Sequence, residues 1–299
     1  MTSSGSLREF LTSRRAALDP QAVGLPVSPV RRRGKGLRRE EVAALAGVSV
    51  DYYARLEQGR IGHVSDQVLR AIENALQLDD LEREHLRKLV APEAIAPRRS
   101  RPAAATPKVR VSLRALIDAM DPIPVMLQGP RMEILAWNRA AAILLADFGK
   151  MRPEDRNVAR WLFLDPTTKE RYPDWEQIAR PTVDALRGAH DPRVPDAALE
   201  QLVGELSVAS AEFARYWADY RLFKHTHGTK RIFHPTVGTM TLNYETLDIA
   251  DSGGQFLSTY TAAVGSPSEE RLRILMSWGD DPQPPAMRAE SLDGEDRAR

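Results

Sequence analysis

The sequence predicts an all-α N-terminal domain of five helices followed by an α+β domain built on an antiparallel sheet. Three observations carry that expectation. Apolar residues in the first ninety positions recur at i, i+3 and i+4, the spacing of one helix face. In TMTLNYE, Thr239–Glu245, the period falls to two, with Met240, Leu242 and Tyr244 alternating against Thr239, Thr241, Asn243 and Glu245. Between these patterns lies APEAIAPRRSRPAAATPKVR, residues 91–110, rich in Pro, Ala and Arg and without a periodic apolar face, as expected of an exposed linker. The expected plan is a domain at 1–90, a linker at 91–110, a second domain at 111–279 and a polar, disordered tail at 280–299.

In the first domain, Ser6–Leu18 reads as a helix with Leu7, Phe10, Leu11 and Leu18 on one side, followed by a loop holding Pro20, Gly24, Pro26 and Pro29. The stretch VAALAGVSVDYYARLEQG, residues 42–59, then supplies two short helices broken at a glycine. Val42, Leu45 and Ala46 make one apolar face, and Val48, Tyr53 and Leu56 a second. Gly47 suits the left-handed residue that ends a helix, and Ser49 suits the N-cap of the next. Two short helices across such a turn form a helix-turn-helix, whose second helix enters the major groove of DNA. Ser65 and Asp66 open a fourth helix, with Val68, Leu69, Ile72, Ala75 and Leu76 inward. Asp79–Asp80 open a fifth, through Val90, with Leu81, Leu86 and Leu89 inward. The run GLRREEVAALAGVSVDYYARLEQGR resembles the lambda-repressor-like, XRE-type helix-turn-helix, which implies DNA binding.

Charge is an independent test. Residues 1–110 carry 20 Lys and Arg against 13 Asp and Glu, whereas residues 111–299 carry 22 against 28, so a net charge of +1 hides a basic half and an acidic half. A basic domain beside an acidic one suits a chain that neutralises phosphates with one end only. Arg31, Arg32, Arg33, Lys35, Arg38 and Arg39 crowd the approach to the motif. The candidate DNA contacts are Arg38 and Arg39, then Ser49, Val50, Asp51 and Tyr52 at the start of the recognition helix, Arg55 one turn later, and Arg60 just beyond.

In the second domain, Ser112–Met120 reads as a helix, Pro124–Gln128 and Met132–Trp137 as strands around Gly129–Pro130, and Asn138 as the cap of a helix bearing Ala141, Leu144, Leu145 and Phe148. Helices follow at Pro195–Ser207 and Ala211–Tyr220, then strands at Lys230–His234, Thr239–Glu245 and Gln255–Ala262, and a helix at Ser268–Trp278. That order is the order of a PAS-like sensor. More closely, PVMLQGPRMEILAWNRAA, DWEQIARPTVDALR, LVGELSVASAEFARYW, GTKRIFHPTVGTMTLNYE and YTAAVGSPSEERLRILMSW resemble the ligand-binding domain of the MmyB-like transcription regulators. The resemblance implies a bacterial, cytoplasmic transcription factor whose PAS-like domain encloses an elongated apolar ligand of the fatty-acid class.

Large apolar side chains that could line such a pocket are Trp137, Trp161, Phe163, Trp175, Phe213, Trp217 and Tyr244, although an aromatic at regular spacing is a core group before it is a ligand contact. An acidic headgroup needs a cation or hydroxyl, and Arg160, Arg171, Tyr172, His225 and Arg231 are available. His225, His227 and His234 do not have the spacing of a metal-dependent hydrolase, and no GxSxG, P-loop or GxGxxG motif with an acidic partner occurs. No enzyme activity, metal or cofactor is expected. The absence of cysteine excludes disulfides and thiolate chemistry, and no run is long enough to span a bilayer. The expected function is a sequence-specific DNA-binding transcription regulator controlled by a small apolar ligand, working as a homodimer on double-stranded operator DNA. The alternative is a DNA-binding protein whose second domain is a protein-interaction and dimerisation module without a ligand. Any ligand signal is expected to pass through packing between the helix ending near Val90 and the sensor, or through the dimer interface.

Overall fold

A computed structural model describes residues 3–25, 36–61, 63–91, 108–188, 196–223 and 226–278. Most of the expected linker, the tail, His225 and the basic residues Arg31, Arg32, Arg33 and Lys35 lie outside the described residues.

The N-terminal region is helical: α1 (Ser3–Ala17), α2 (Arg39–Ala46), α3 (Val50–Glu57), α4 (Asp66–Ala75) and α5 (Asp80–Val90). Local chemistry places the boundaries. Gly47, at φ 63°, ends α2 in the left-handed region, and the Val48 amide donates to the Ala43 carbonyl at 3.0 Å. The hydroxyl of Ser49 accepts from the Tyr52 amide at 3.1 Å, and Ser65 caps α4 in the same way. Asp79 and Glu82 form a reciprocal capping box at the start of α5. Phe10, Leu11, Val42, Tyr53, Leu56, Ile72 and Leu86 are fully buried in the shared core. One detail differs from the expected face of α2: Leu45 is 39% exposed, because the buried arc runs through Val42, Ala43 and Ala46. The two alanines let α2 approach its neighbours closely, and Leu45 falls just outside that arc.

The C-terminal part begins with α6 (Val111–Ala119), β1 (Val125–Gln128), β2 (Ile134–Trp137) and α7 (Arg139–Leu144), the last capped by the Asn138 side chain. A helical layer follows: α8 (Val158–Leu164), α9 (Thr167–Arg171), α10 (Trp175–Gly188), α11 (Ala197–Ala209) and α12 (Ala211–Ala218). The described residues end with β3 (His227–His234), β4 (Gly238–Asp248), β5 (Phe256–Thr261) and α13 (Pro267–Trp278). The five strands form one antiparallel sheet in the order β2-β1-β5-β4-β3, a PAS-like arrangement in which β5 is central, flanked by β1 and β4, and β2 and β3 are the edges.

Period-two alternation, interrupted in β2 by a bulge at Leu135 that turns Ile134 and Ala136 to opposite sides, sorts the strand residues between two faces. Met126, Ile134, Met240, Leu242, Tyr244 and Tyr260 face the helical layer, where they meet Leu144, Phe148, Trp161, Ile178 and Phe213. Val125, Leu127, Ala136 and Leu257 face the other way, onto Leu113 and Ile117 of α6. Every residue of β1 is therefore buried, on both faces of the sheet.

Candidate functional site

The helix-turn-helix presents its basic groups from α2, α3 and the turn after α3. Arg38, Ser49, Val50, Asp51, Arg55 and Arg60 are exposed, and Tyr52 is half-buried. Among the described residues the guanidinium groups of Arg38, Arg55 and Arg60 have no carboxylate partner. Arg39 is committed elsewhere. Its Nε and Nη2 donate to one carboxylate oxygen of Glu57 at 2.9 and 2.7 Å, while Arg15 Nε from α1 donates to the other at 3.1 Å and Thr12 adds a hydroxyl at 3.3 Å. Burial alone would raise the Glu57 carboxyl, but the hydrogen bonds and charges of Arg39 and Arg15 outweigh it and hold the group below its ordinary value. Glu57 is fully buried at the last residue of α3, so this network ties α1, α2 and the recognition helix together. Sequence reading missed it, since Glu57 lies 42 residues from Arg15.

The C-terminal part holds a partly open cavity of about 40 Å³ between the sheet and the helices. Its helical wall is Val158, Trp161 and Leu162 of α8, Tyr172, and Ile178 and Thr182 of α10. The sheet contributes apolar Met126 and Phe256 together with Gln128, Ser258, Tyr244, Tyr260 and Lys230. Trp161, Tyr172 and Tyr244, singled out from the sequence, thus stand at this cavity.

The others have different surroundings. Trp137 packs edge-on against Phe148 under the Arg156 guanidinium, while Phe163 meets Trp175 and Phe213 and Phe213 stacks on Trp217. Phe148, Trp175 and Phe213 are buried in the core, and Trp137 of β2, Phe163 and Trp217 are partly buried against it. Arg171 donates to the Leu144 carbonyl at 2.7 Å, Arg160 pairs with Glu205 at 2.6 Å and Arg231, exposed on the edge strand, pairs with Asp174 at 3.3 Å. His234 accepts from the Thr236 amide, and His227 is exposed at the start of β3.

Lys230 is the cavity residue that sequence reading passed over. It sits one residue from Arg231 on the edge strand and so points to the opposite face. Its ammonium lies 4.2 Å from the centre of the Tyr244 ring and 5.8 Å from that of Tyr260, and no carboxylate among the described residues pairs with it. Burial pushes this amine down to about 8. A Cβ at Gly228 would fall 3.0 Å from the Tyr244 ring, so glycine there lets the ring lie close against β3 beside Lys230. The signal available in the sequence was the alternation of β3, Gly228, Lys230, Ile232 on one side and Thr229, Arg231, Phe233 on the other.

A family model of the MmyB-like transcription regulator ligand binding domain matches residues 109–275, and a helix-turn-helix domain model matches residues 7–86. The chain belongs to the MmyB-like transcription regulators. Among curated proteins none matches the chain. The regulator therefore combines a DNA-binding helix-turn-helix with a ligand-binding domain, and both families are families of transcription regulators rather than of enzymes. In the regulator no cluster of three His, Asp or Glu able to hold a metal occurs among the described residues, and no helix among them is long and apolar enough to cross a membrane.

Proposed function

We propose that the regulator binds double-stranded operator DNA as a homodimer in the cytoplasm, reading bases with α3, and that its second domain, about 111–279, takes a small amphipathic ligand with an apolar chain and an anionic head, of which a fatty acid is the simplest case. Arg38, Arg55 and Arg60 meet phosphates or base edges, with Ser49, Val50, Asp51 and Tyr52 at the groove. Arg39, held by Glu57, positions α3.

The observation that carries the ligand reading is Lys230. A half-buried ammonium lining a partly open, largely apolar cavity with no carboxylate among the described residues to neutralise it is a standing cost, and an anion would reduce that cost. Hydroxyl and amide groups of Tyr172, Tyr260, Ser258 and Gln128 surround the same space and complete a polar end. Gln128 Nε2 already donates to Ser258 Oγ at 2.7 Å, so the two present one joined polar group.

The small cavity favours the second reading, in which the C-terminal part is an interaction and dimerisation module. Pockets for small ligands run to about 300–1,000 Å³, so a ligand must open this cavity. Native mass spectrometry of the purified regulator, followed by extraction, separates the two readings. A bound amphipathic acid, lost from the Lys230→Met variant, supports the first. No bound molecule, and no binding of dodecanoate by calorimetry, overturns it.

A further inference from the structure

The segment that follows α12 leaves its own core. Tyr220 and Leu222 are buried in the apolar cluster of the N-terminal helices. The Tyr220 ring lies 5.9 Å from Phe10 of α1 and 6.2 Å from His85 of α5, centre to centre. Two side chains of α1 fasten the backbone there: Ser13 Oγ donates to the Asp219 carbonyl at 2.9 Å, and Arg14 Nη2 donates to the Tyr220 carbonyl at 2.7 Å. Tyr220 itself takes φ 47°, a left-handed conformation that a bulky residue adopts only where its surroundings hold it.

Arg187, near the end of α10, grips the same segment from the other side. Its guanidinium stands 3.9 Å from the Trp217 ring centre and 4.0 Å from that of Tyr220, and it donates to the Trp217 carbonyl. Just over one turn earlier, α10 carries Thr182, and a further turn back Ile178, both in the cavity wall. On the far side, α1 holds the recognition helix through Thr12 and Arg15 on Glu57.

We infer that the Arg187–Tyr220 seam couples the cavity to the recognition helix, so that displacement of α10 is passed through residues 217–220 to α1 and, through Glu57, to α3. The inference rests on the ligand reading for its natural trigger, but the mechanical link stands apart from it. A cavity of about 40 Å³ cannot admit a chain unless a wall moves. The sheet wall is laced by backbone hydrogen bonds from strand to strand, whereas α10 is held by side chains and has Pro181 in its interior, which removes one helical hydrogen bond beside Thr182. The helix is therefore the wall that yields, and its movement bears on Arg187.

A double-mutant cycle tests the link without any ligand, using the full chain and a DNA fragment selected by the wild-type protein from a random pool. Thr182→Phe forces bulk into the cavity wall, with Thr182→Leu as the milder variant should the first not fold. DNA affinity by fluorescence anisotropy is expected to change at least about fivefold in the Thr182 variant, to stay within about twofold of wild type in Arg187→Met, and to return to that level in the double variant. Hydrogen exchange in α1 and α3 is expected to change in the Thr182 variant and to revert in the double variant. Equal shifts in the single and double Thr182 variants, or no shift in a folded Thr182 variant whose α10 exchange has changed, would overturn the inference. Dodecanoate binding is measured alongside. If dodecanoate fails to bind while the cycle shows coupling, the ligand reading falls and the seam stands; binding with a null cycle gives the reverse.

Discussion

Arg55 and Lys230 share one condition: each is a cation to which the described residues offer no carboxylate, one on the outer face of α3 and the other inside the sheet domain. For Arg55 the consequence is readout. Arg55→Ala is expected to weaken specific DNA binding by about 1–3 kcal/mol while leaving the melting temperature unchanged, since the side chain is exposed. An unchanged affinity would remove Arg55 from the interface. For Lys230 the consequence is a pH profile. Its amine in the folded chain titrates near 8 rather than at the ordinary 10.5, so the cavity carries its full charge only below about 8. Dodecanoate should bind best below pH 8 and progressively less well above it, and Lys230→Met should flatten the profile. Without an anion the fold should gain stability between about pH 8 and 10.5, because there the unfolded chain binds more protons than the folded one. Isothermal titration and thermal melts across that range check both signs.

Helix ends were the most legible feature at the scale of single elements, because their causes are local. Ser49, Ser65, Asp79 and Asn138 cap the helices they were expected to cap, each through a bond to an amide within three residues. The network around Glu57 was not legible, although it decides how the recognition helix is held. Replacing Glu57 by Ala removes the carboxylate shared by Arg15 and the partly exposed Arg39, and the expected loss is about 1.5–3 kcal/mol, that of hydrogen bonds to a charged group, measured by urea unfolding. The folded-state carboxyl lies below its ordinary 4.5, so its contribution is present above that value and disappears as pH falls through the folded titration. Stability that does not fall in Glu57→Ala would show the network to be neutral. The back of the sheet also escaped sequence reading, which gave Ser112–Met120 as a helix without assigning it a face of the sheet. In the fold α6 covers the back, because Leu113 and Ile117 find Val125, Leu127 and Leu257 there.

For the whole molecule, symmetry and coupling are the open expectations. One α3 spans only a few base pairs, so a homodimer on half-sites about 10 bp apart, or a multiple of that spacing, is expected. The helices near the two ends of the sheet domain are the proposed dimer surface, and α6 carries the exposed apolar residues Val111 and Leu116 that suit it. Sedimentation of the free protein and footprinting of the complex check this, and a monomer that remains one-to-one on its operator would refute it. The expected contact of the sensor with the helix ending near Val90 takes a different form. Tyr220 of the sheet domain reaches the middle of α5 at His85, and its neighbourhood is fastened to α1 by Ser13 and Arg14.

The sequence by itself determined what depends on neighbours along the chain: the helix-turn-helix around Gly47, the caps, the alternation of β4, and the basic N-terminal half. Its likeness to the MmyB-like regulators added the architecture of the rest. Only the tertiary structure decided which charges are spent and which are free. Arg39 turns inward because Glu57 is brought to it, and Lys230 faces a cavity because strand pairing sets it opposite Leu242, on the same face as Tyr244. Tyr220, read as the end of a helix in the sensor, lies in the core of the DNA-binding helices instead. Burial and pairing are properties of contacts between distant residues, and no local pattern in the chain encodes which distant partner will arrive.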